Sequence, residues 1–368
     1  MTVGYAPARG RGRMRRLDVL LVVTTLLILT LGMLNLWSAL QGRQPALISR
    51  QIMWLGISLA AATAAAIVDY RRVASVSYLL YAGGIGSLVL VLATGHVAGG
   101  ARAWLHLGPL VVQPSEFLKP LLILALARHI QNAPSVKERT FKHFLVPFAL
   151  AGAPIMLIAV QPDFGIALML TLIFLTVMLT ARLSVGTWMG LIFVAAAAAM
   201  PTWKYGLHDY QRGRIIAFLN PALDPARAWQ PQQAMHAVGS GRLYGKGYLE
   251  GTQIRARSLP ALWTDFPFAV FGEEWGFIGA IGLIGFYATL IFVLLTIARN
   301  ARDRLGAILC IGTASLIFWQ TLFNLGMVIG LMPVTGLTLP VVSYGGSSLL
   351  TTMIALGLCL SVSLRRFQ

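Results

Sequence analysis

An all-α integral membrane protein, a polytopic bundle of ten transmembrane helices, is the fold this sequence predicts. Three observations carry that expectation. Of 368 residues 57% are hydrophobic and 11% charged. The mean hydropathy is +0.75. Apolar stretches of about 17–25 residues, the length a helix needs to cross a bilayer, recur along the whole chain. Soluble domains carry about 25% charged residues, so this chain has less than half the charge that would keep it in water. A water-soluble enzyme is excluded.

The stretches cover residues 17–40, 50–68, 76–94, 115–130, 144–160, 164–181, 186–201, 266–298, 305–331 and 345–364. The first follows a basic segment as the core of a signal peptide would. It is too long for such a core and lacks a clear small-residue cleavage site, so it reads as a retained span. Cationic residues orient the bundle, because cytoplasmic connections collect Lys and Arg. Arg9, Arg11, Arg13, Arg15 and Arg16 precede the first span and place the N-terminus in the cytoplasm. Ten spans then put Arg71, Arg72, Arg128, Lys137, Arg139, Lys142, Arg182, Arg299, Arg302, Arg304, Arg365 and Arg366 on that same side, with the C-terminus. The short outer connections hold Arg43, Arg50 and Arg102. The formal charge of +17 is therefore a topology signal, and a nucleic-acid partner is not expected.

The connection 202–265 is too long for a minimal loop and belongs outside. Trp203, Tyr205, Tyr210, Trp229, Tyr244, Tyr248 and Trp263 are spread through it, which points to a packed, membrane-hugging segment. The whole chain, 1–368, reads as one membrane domain: helices 1–7 over 17–201, the outer loop, and helices 8–10 over 266–364. No internal repeat is evident, which weakens an inverted-repeat transporter. Cys310 and Cys359 lie inside apolar runs and read as small buried fillers.

Twelve acidic residues are few enough to place individually. Glu116, Asp163, Asp265, Glu273 and Glu274 sit in or at the end of a span, where an ionisable group is costly and marks a functional candidate. The topology puts all five toward the outer half of the membrane, on one face. Glu116 and Lys119 are three apart at the start of a span, so they can pair on one side of a helix. A purely structural pair is the competing reading. Asp163, in Gln161-Pro162-Asp163-Phe164-Gly165, can simply cap the following helix. Asp265 ends the long loop at a membrane boundary, where lost solvation makes a carboxylate a better proton acceptor. A helix cap would also explain it. The six histidines form no pair at metal-ligand spacing near an acid. Gly239–Gly247 only faintly resembles a phosphate loop: Ser240 stands where its first Gly belongs and Gly247 follows Lys246. With no nucleotide loop and an outward site, the energy for bond-making must arrive with the substrate. An activated lipid-linked pyrophosphate meets that need, and cationic loop residues suit its oxygens. From Asn324 to Ser348 the sequence is rich in Gly and Pro. Gly326 and Gly330 make a helix-packing pair, and the broken backbone after them is tolerated at membrane depth only when buried or lining a cavity.

These segments resemble the shape, elongation, division and sporulation (SEDS) family of bacterial polytopic proteins. The likeness is carried by Gly100-Ala101 with Trp104, Gln113 to Lys119, Gln161 to Gly165, Tyr210-Gln211-Arg212 with Arg214, Gly239 to Gly247, Gly251-Thr252-Gln253, Thr264-Asp265-Phe266, Gly272-Glu273-Glu274 and Asn324 to Ser348. The Gly-Thr-Gln and Asn-Leu-Gly-Met-Val runs favour the RodA branch over the FtsW branch. Departures from the pattern are Ala103 directly before Trp104 with Arg102 one residue earlier, Ala261, Trp263 and Arg242.

The resemblance implies a peptidoglycan glycosyltransferase that polymerises lipid II on the outer face of the cytoplasmic membrane, beside a class B penicillin-binding protein. It implies an undecaprenyl-pyrophosphate-linked glycan, a divalent cation (Mg or Mn) and no nucleotide. Asp265 maps onto the family's essential Asp. Glu116, Lys119 and Asp163 map onto its functional charged residues. Trp104, Arg212, Arg214, Lys246, Glu273, Glu274, Ser343, Gly345 and Gly346 are the remaining expected site residues. A lipid flippase or a non-catalytic scaffold for the synthase are the alternatives. Alternating access would place essential polar groups on both leaflets, whereas here they favour one.

Overall fold

The computed structural model describes residues 8–40, 44–98, 101–108, 110–133, 141–181, 184–252 and 263–366. In chain order the elements are α1 (Ala8–Leu40), α2 (Pro45–Ile67), α3 (Tyr70–Ser75), α4 (Ser77–Thr94), β1 (His96–Ala98), β2 (Ala101–Leu107), β3 (Leu110–Val112), α5 (Pro114–Asn132), α6 (Phe141–Val160), α7 (Phe164–Leu179) and α8 (Val185–Pro201). A π-turn (Thr202–Gly206), α9 (Asp209–Leu219), α10 (Pro225–Ser240), α11 (Pro267–Arg299), α12 (Arg304–Val328) and α13 (Gly346–Leu364) complete the chain.

Helix occupies each of the ten apolar stretches. Among the described residues, six helices are long and apolar enough to cross a membrane: Arg16–Leu40, Pro45–Ile67, Ser77–Thr94, Pro267–Arg299, Arg304–Val328 and Gly346–Leu364. Phe144–Val160 and Phe164–Leu179 are apolar but shorter. The apolar windows of α12 and α13 are 72% and 78% buried, against 33%, 22% and 28% for α1, α2 and α4. The former pair is therefore the centre of the bundle. The rim helices turn Val19, Leu79, Phe193 and Phe292 outward, as helices solvated by hydrocarbon do. Cys310 and Cys359 are free and buried in the centre.

One feature departs from the all-helical expectation. Strands β1, β2 and β3 form a small antiparallel sheet, with His96 opposite Trp104 and Leu105 opposite Val112. Gly95, Gly108 and the glycines at 99–100 punctuate this stretch, which is too short between breakers to nucleate a helix. The sheet caps the entry to α5 and carries Trp104 inward.

The long connection is packed, not a linker. It holds α9 and α10, while residues 253–262, including Arg255, Arg257 and Ala261, lie outside the described residues, as do Arg43, Lys137, Arg139 and Arg182. Its segment 241–249 is stitched to a break in α11. Gly276 has φ 63 and ψ −163, a conformation essentially reserved for glycine. The break frees backbone groups that the loop then satisfies. Lys246 N donates to Glu273 O at 3.0 Å, Gly247 N to Glu274 O at 3.1 Å, Phe277 N to Arg242 O at 2.9 Å and Ile278 N to Leu243 O at 3.1 Å. A Cβ at Gly276 would lie 2.2 Å from Gly245 N, and one at Gly245 would lie 2.1 Å from Glu274 O. At the opposite end of the bundle, Asp303 accepts from Tyr70 Oη and Arg71 Nε, each at 2.8 Å, and from Gly306 N at 2.8 Å. That carboxylate ties α3 to the start of α12.

Gly276→Ala tests this stitch. Backbone strain of about 1–3 kcal/mol and overpacking of about 1–3 kcal/mol act together, so the variant is expected to lose several degrees of thermal midpoint in detergent. An unchanged midpoint would show that the docked loop contributes nothing.

Candidate functional site

A cavity of about 300 Å³ opens where seven segments of the chain meet. Its walls come from Trp104 on β2, Gln113 and Glu116 at the start of α5, and the Pro162-Asp163 turn ahead of α7. Tyr210 and Arg214 on α9, the Thr264-Asp265 turn, the extended stretch from Pro333 to Thr338, and Tyr344 to Ser348 at the start of α13 close it. Helices α5, α7 and α13 all begin at this cavity. Their positive dipole ends lie at the cavity wall, a setting that favours an anion.

Glu116 and Lys119 pair at 2.6 Å with side chains 7% and 0% exposed. Burial of either charge alone would be prohibitive, so each is the condition for the other. Glu116 reaches the cavity and Lys119 stands behind it. Asp163 caps α7, accepting from Ile166 N at 3.2 Å, and also takes a bond from Gln113 Nε2 at 2.9 Å. Burial pushes its carboxyl up to about 6. The Ile166 N–H opposes this, the Glu116 charge adds to it, and Lys119 and Gln113 pull the other way.

Asp265 does not cap its helix: Phe266 holds the N-cap position and makes no side-chain cap bond. Its carboxylate is turned to the cavity. Burial raises its proton affinity above the ordinary carboxylate range, against the opposing effects of the Thr264 side chain and the Arg214 charge. Gly336, with φ +73, lies beside both Asp265 and Arg214: its missing Cβ would stand 3.8 Å from Arg214 Nη1 and 3.9 Å from Asp265 Oδ2. The space a side chain would fill is open to a ligand. Arg214 is held by a 3.2 Å bond from Nη1 to Val334 O, and its guanidinium lies 5.7 Å from the Tyr210 ring centroid. Tyr210 in turn donates its hydroxyl to Pro162 O, so α9 hangs from the turn that carries Asp163.

Glu273 and Glu274, of the five acids expected on the outer face, are not among the residues that line this cavity. Glu273 Oε1 accepts from Lys246 Nζ at 2.7 Å, Thr252 N at 2.9 Å and Thr252 Oγ1 at 2.7 Å. Glu274 accepts from Ser38 and from Leu249 N at 3.2 Å. Lys246 belongs with them, as the clamp that fastens the loop to the break in α11.

Arg212 is also turned away: it bonds Lys204 O at 2.9 Å and pairs with Asp209 at 3.7 Å. Ser343 sits behind the wall and accepts from Leu339 N at 2.7 Å. Trp104, Glu116, Asp163, Arg214, Asp265, Gly345 and Gly346 are brought together. Sequence reading did not assign Gln113, Tyr210, Thr264, Gly336 or Asn324 a role. For Gly336 the Gly-Pro cluster was the available signal.

The sequence profile of the FtsW/RodA/SpoVE family, described as cell cycle proteins, matches residues 17–367. The chain belongs to that family. It is 36% identical over 354 residues to peptidoglycan glycosyltransferase MrdB of Escherichia coli (strain K12), covering 95% of this chain and 94% of that one. Identity is 31% over 425 residues to peptidoglycan glycosyltransferase RodA of Treponema pallidum (strain Nichols), covering 95% and 98%. Among solved structures, a chain of a peptidoglycan synthase complex studied for its coordination of polymerization and crosslinking superposes with a TM-score of 0.82 at 35% identity, covering 95% of this chain and 98% of that one. The Thermus thermophilus rod shape determining protein RodA superposes with a TM-score of 0.72 at 33% identity, covering 95% and 97%. The SEDS resemblance, with its RodA leaning, is thereby supported.

The raised carboxyl of Asp163 has a consequence for stability. Its folded pKa of about 6 exceeds the unfolded value of about 3.9. Its contribution is therefore fully present below about pH 4 and is lost as pH rises through about 6. Asp163→Asn, which stays neutral, should gain thermal stability relative to the unsubstituted protein across that window. A difference that does not change from pH 4 to pH 6.5 would contradict the burial of this charge.

Proposed function

We propose that this chain is a peptidoglycan glycosyltransferase that polymerises lipid II into glycan strands during cell elongation, with Asp265 as the general base. The single observation that carries the reading is the facing pair of Asp265 and Arg214 across the open space at Gly336, in a cavity built from helix N-termini. The family and the curated relatives give the reaction class, and the roles of individual residues are our reading of the geometry.

In this mechanism the 4-hydroxyl of an acceptor lipid II attacks the anomeric carbon of the growing lipid-linked strand. Asp265 takes the hydroxyl proton as the new C–O bond forms. The bond from the anomeric carbon to pyrophosphate breaks with inversion, and its electron pair leaves on undecaprenyl pyrophosphate. The pocket supplies Arg214 and three helix N-termini for that growing negative charge. Raised basicity suits Asp265 to accept a proton near neutral pH, and Trp104 offers a flat apolar face of the kind that packs against sugars.

The described residues contain no group of three or more His, Cys, Asp or Glu able to hold a metal ion. Mg²⁺ commonly keeps several waters and rests on one or two carboxylates plus substrate phosphates, and the donor set here fits that mode. Asp265 and Asp163 are the carboxylates that would hold it, and it would supply positive charge to the pyrophosphate. A class B penicillin-binding protein is the proposed partner. The topology that accompanies this reading has ten spans, both termini in the cytoplasm and the cavity facing outward from the cytoplasmic membrane. The outer position is where lipid II and the growing wall are found.

Asp265→Asn, purified with the partner and supplied with lipid II and a divalent cation, is expected to lose at least about 100-fold in polymerisation rate. The unsubstituted enzyme should show an acid limb in which rate falls as pH drops through a pKa above the ordinary carboxylate value. A folded Asp265→Asn protein that polymerises at close to the parent rate would remove the base assignment.

A further inference from the structure

Asn324 is fully buried near the end of α12, and it does not itself line the cavity. Its Nδ2 donates two hydrogen bonds, to the backbone carbonyl of Asp265 at 2.9 Å and to the backbone carbonyl of Leu337 at 2.8 Å. Those two carbonyls belong to two separate segments that line the cavity. One is in the turn that carries the base, and the other follows Gly336, the residue that keeps open the space between Asp265 and Arg214.

Both carbonyls need such a donor. Ahead of α11 the chain has Pro267 at the first helical position, and the Ala269 N–H goes to Phe266 O at 3.0 Å. The Asp265 carbonyl is thus passed over by the helix. Leu337 is in an extended stretch that pairs with no strand among the described residues. Irregular backbone at membrane depth must find its partners inside the protein. The amide orientation is fixed by the same network, because the reverse assignment would set an amide oxygen against two carbonyl oxygens.

We infer that Asn324 is a positioning residue of the glycosyl transfer, holding the Asp265 turn and the Gly336 wall at the separation the reaction needs by donating one amide hydrogen to each. The inference rests on the assignment of Asp265 as the base. Only a primary amide of this length offers two hydrogens from one nitrogen. A carboxyl in its place carries at most one, and an alanine carries none. When either bond is lost the two walls drift independently, and a displacement of the order of 1 Å at a reacting group can cost about 100-fold in rate.

Asn324→Asp and Asn324→Ala are to be compared with the parent as complexes with the partner, using lipid II. Folded yield, thermal midpoint, kcat, KM and the acid limb of the pH profile are measured for each. The expected result is a fall in kcat of about 10- to 100-fold per folded molecule with KM within about threefold, and partial recovery in Asn324→Gln, which restores the amide. A role confined to stability would lower yield or midpoint and leave kcat per folded molecule and the acid limb unchanged; that outcome overturns the inference. So does a loss carried wholly by KM. Should Asn324→Asp fail to fold, Asn324→Ser, with room for a water between the carbonyls, carries the same readout. If Asp265→Asn is inactive while the Asn324 variants keep the parent kcat, the positioning role alone falls. If Asp265→Asn stays active, it is the base assignment that fails.

Discussion

A charge or an unpaired backbone group placed beside hydrocarbon has to find its partner within the protein, and this constraint shapes every polar feature of the molecule. Lys119 is tolerated at zero exposure because Glu116 stands 2.6 Å away. The break at Gly276 persists because the loop 241–249 returns four hydrogen bonds to it. Where α12 ends and the chain runs irregularly to α13, side chains take over the work of the helix: Ser343 accepts from Leu339, and Asn324 bridges Asp265 and Leu337.

The cavity joins two requirements of the proposed chemistry. A proton acceptor must be less solvated than a surface carboxylate, yet it must remain ionised near neutral pH. Asp265 meets the first through burial, opposed by the Thr264 side chain and the Arg214 charge. Departing pyrophosphate needs positive potential that does not itself consume the base. Helix N-termini provide it without a proton to lose, and Arg214 is anchored to Val334 so that it does not collapse onto Asp265.

Much of this was legible from the residues. Hydropathy located the helices because a bilayer demands long apolar runs, and observed boundaries such as Pro114–Asn132 and Gly346–Leu364 fall within a few residues of the expected ones. The Glu116–Lys119 pair followed from helical spacing, and the Asp163 cap from its place after Pro162. What spacing could not show was which charges share a volume. Arg212 and Arg214 are both in the motif, but two residues in a helix turn about 200°, so α9 sends one into the cavity and the other toward Lys204. Glu273 and Glu274 looked like members of the same cluster until the returning loop claimed them. The sheet 96–112 was missed because its alternation is short and broken by glycine. Asn324 was unreadable because a single amide in an apolar helix gives no hint of carbonyls that lie 59 and 13 residues away in the chain.

Capture of the complex with a non-reacting lipid II analogue, followed by structure determination, addresses the central claim most directly. The account predicts the pyrophosphate beside Arg214 and the starts of α5, α7 and α13, with the acceptor hydroxyl within about 3 Å of the Asp265 carboxylate. An analogue bound elsewhere, with this cavity unchanged and filled only by water, would contradict it.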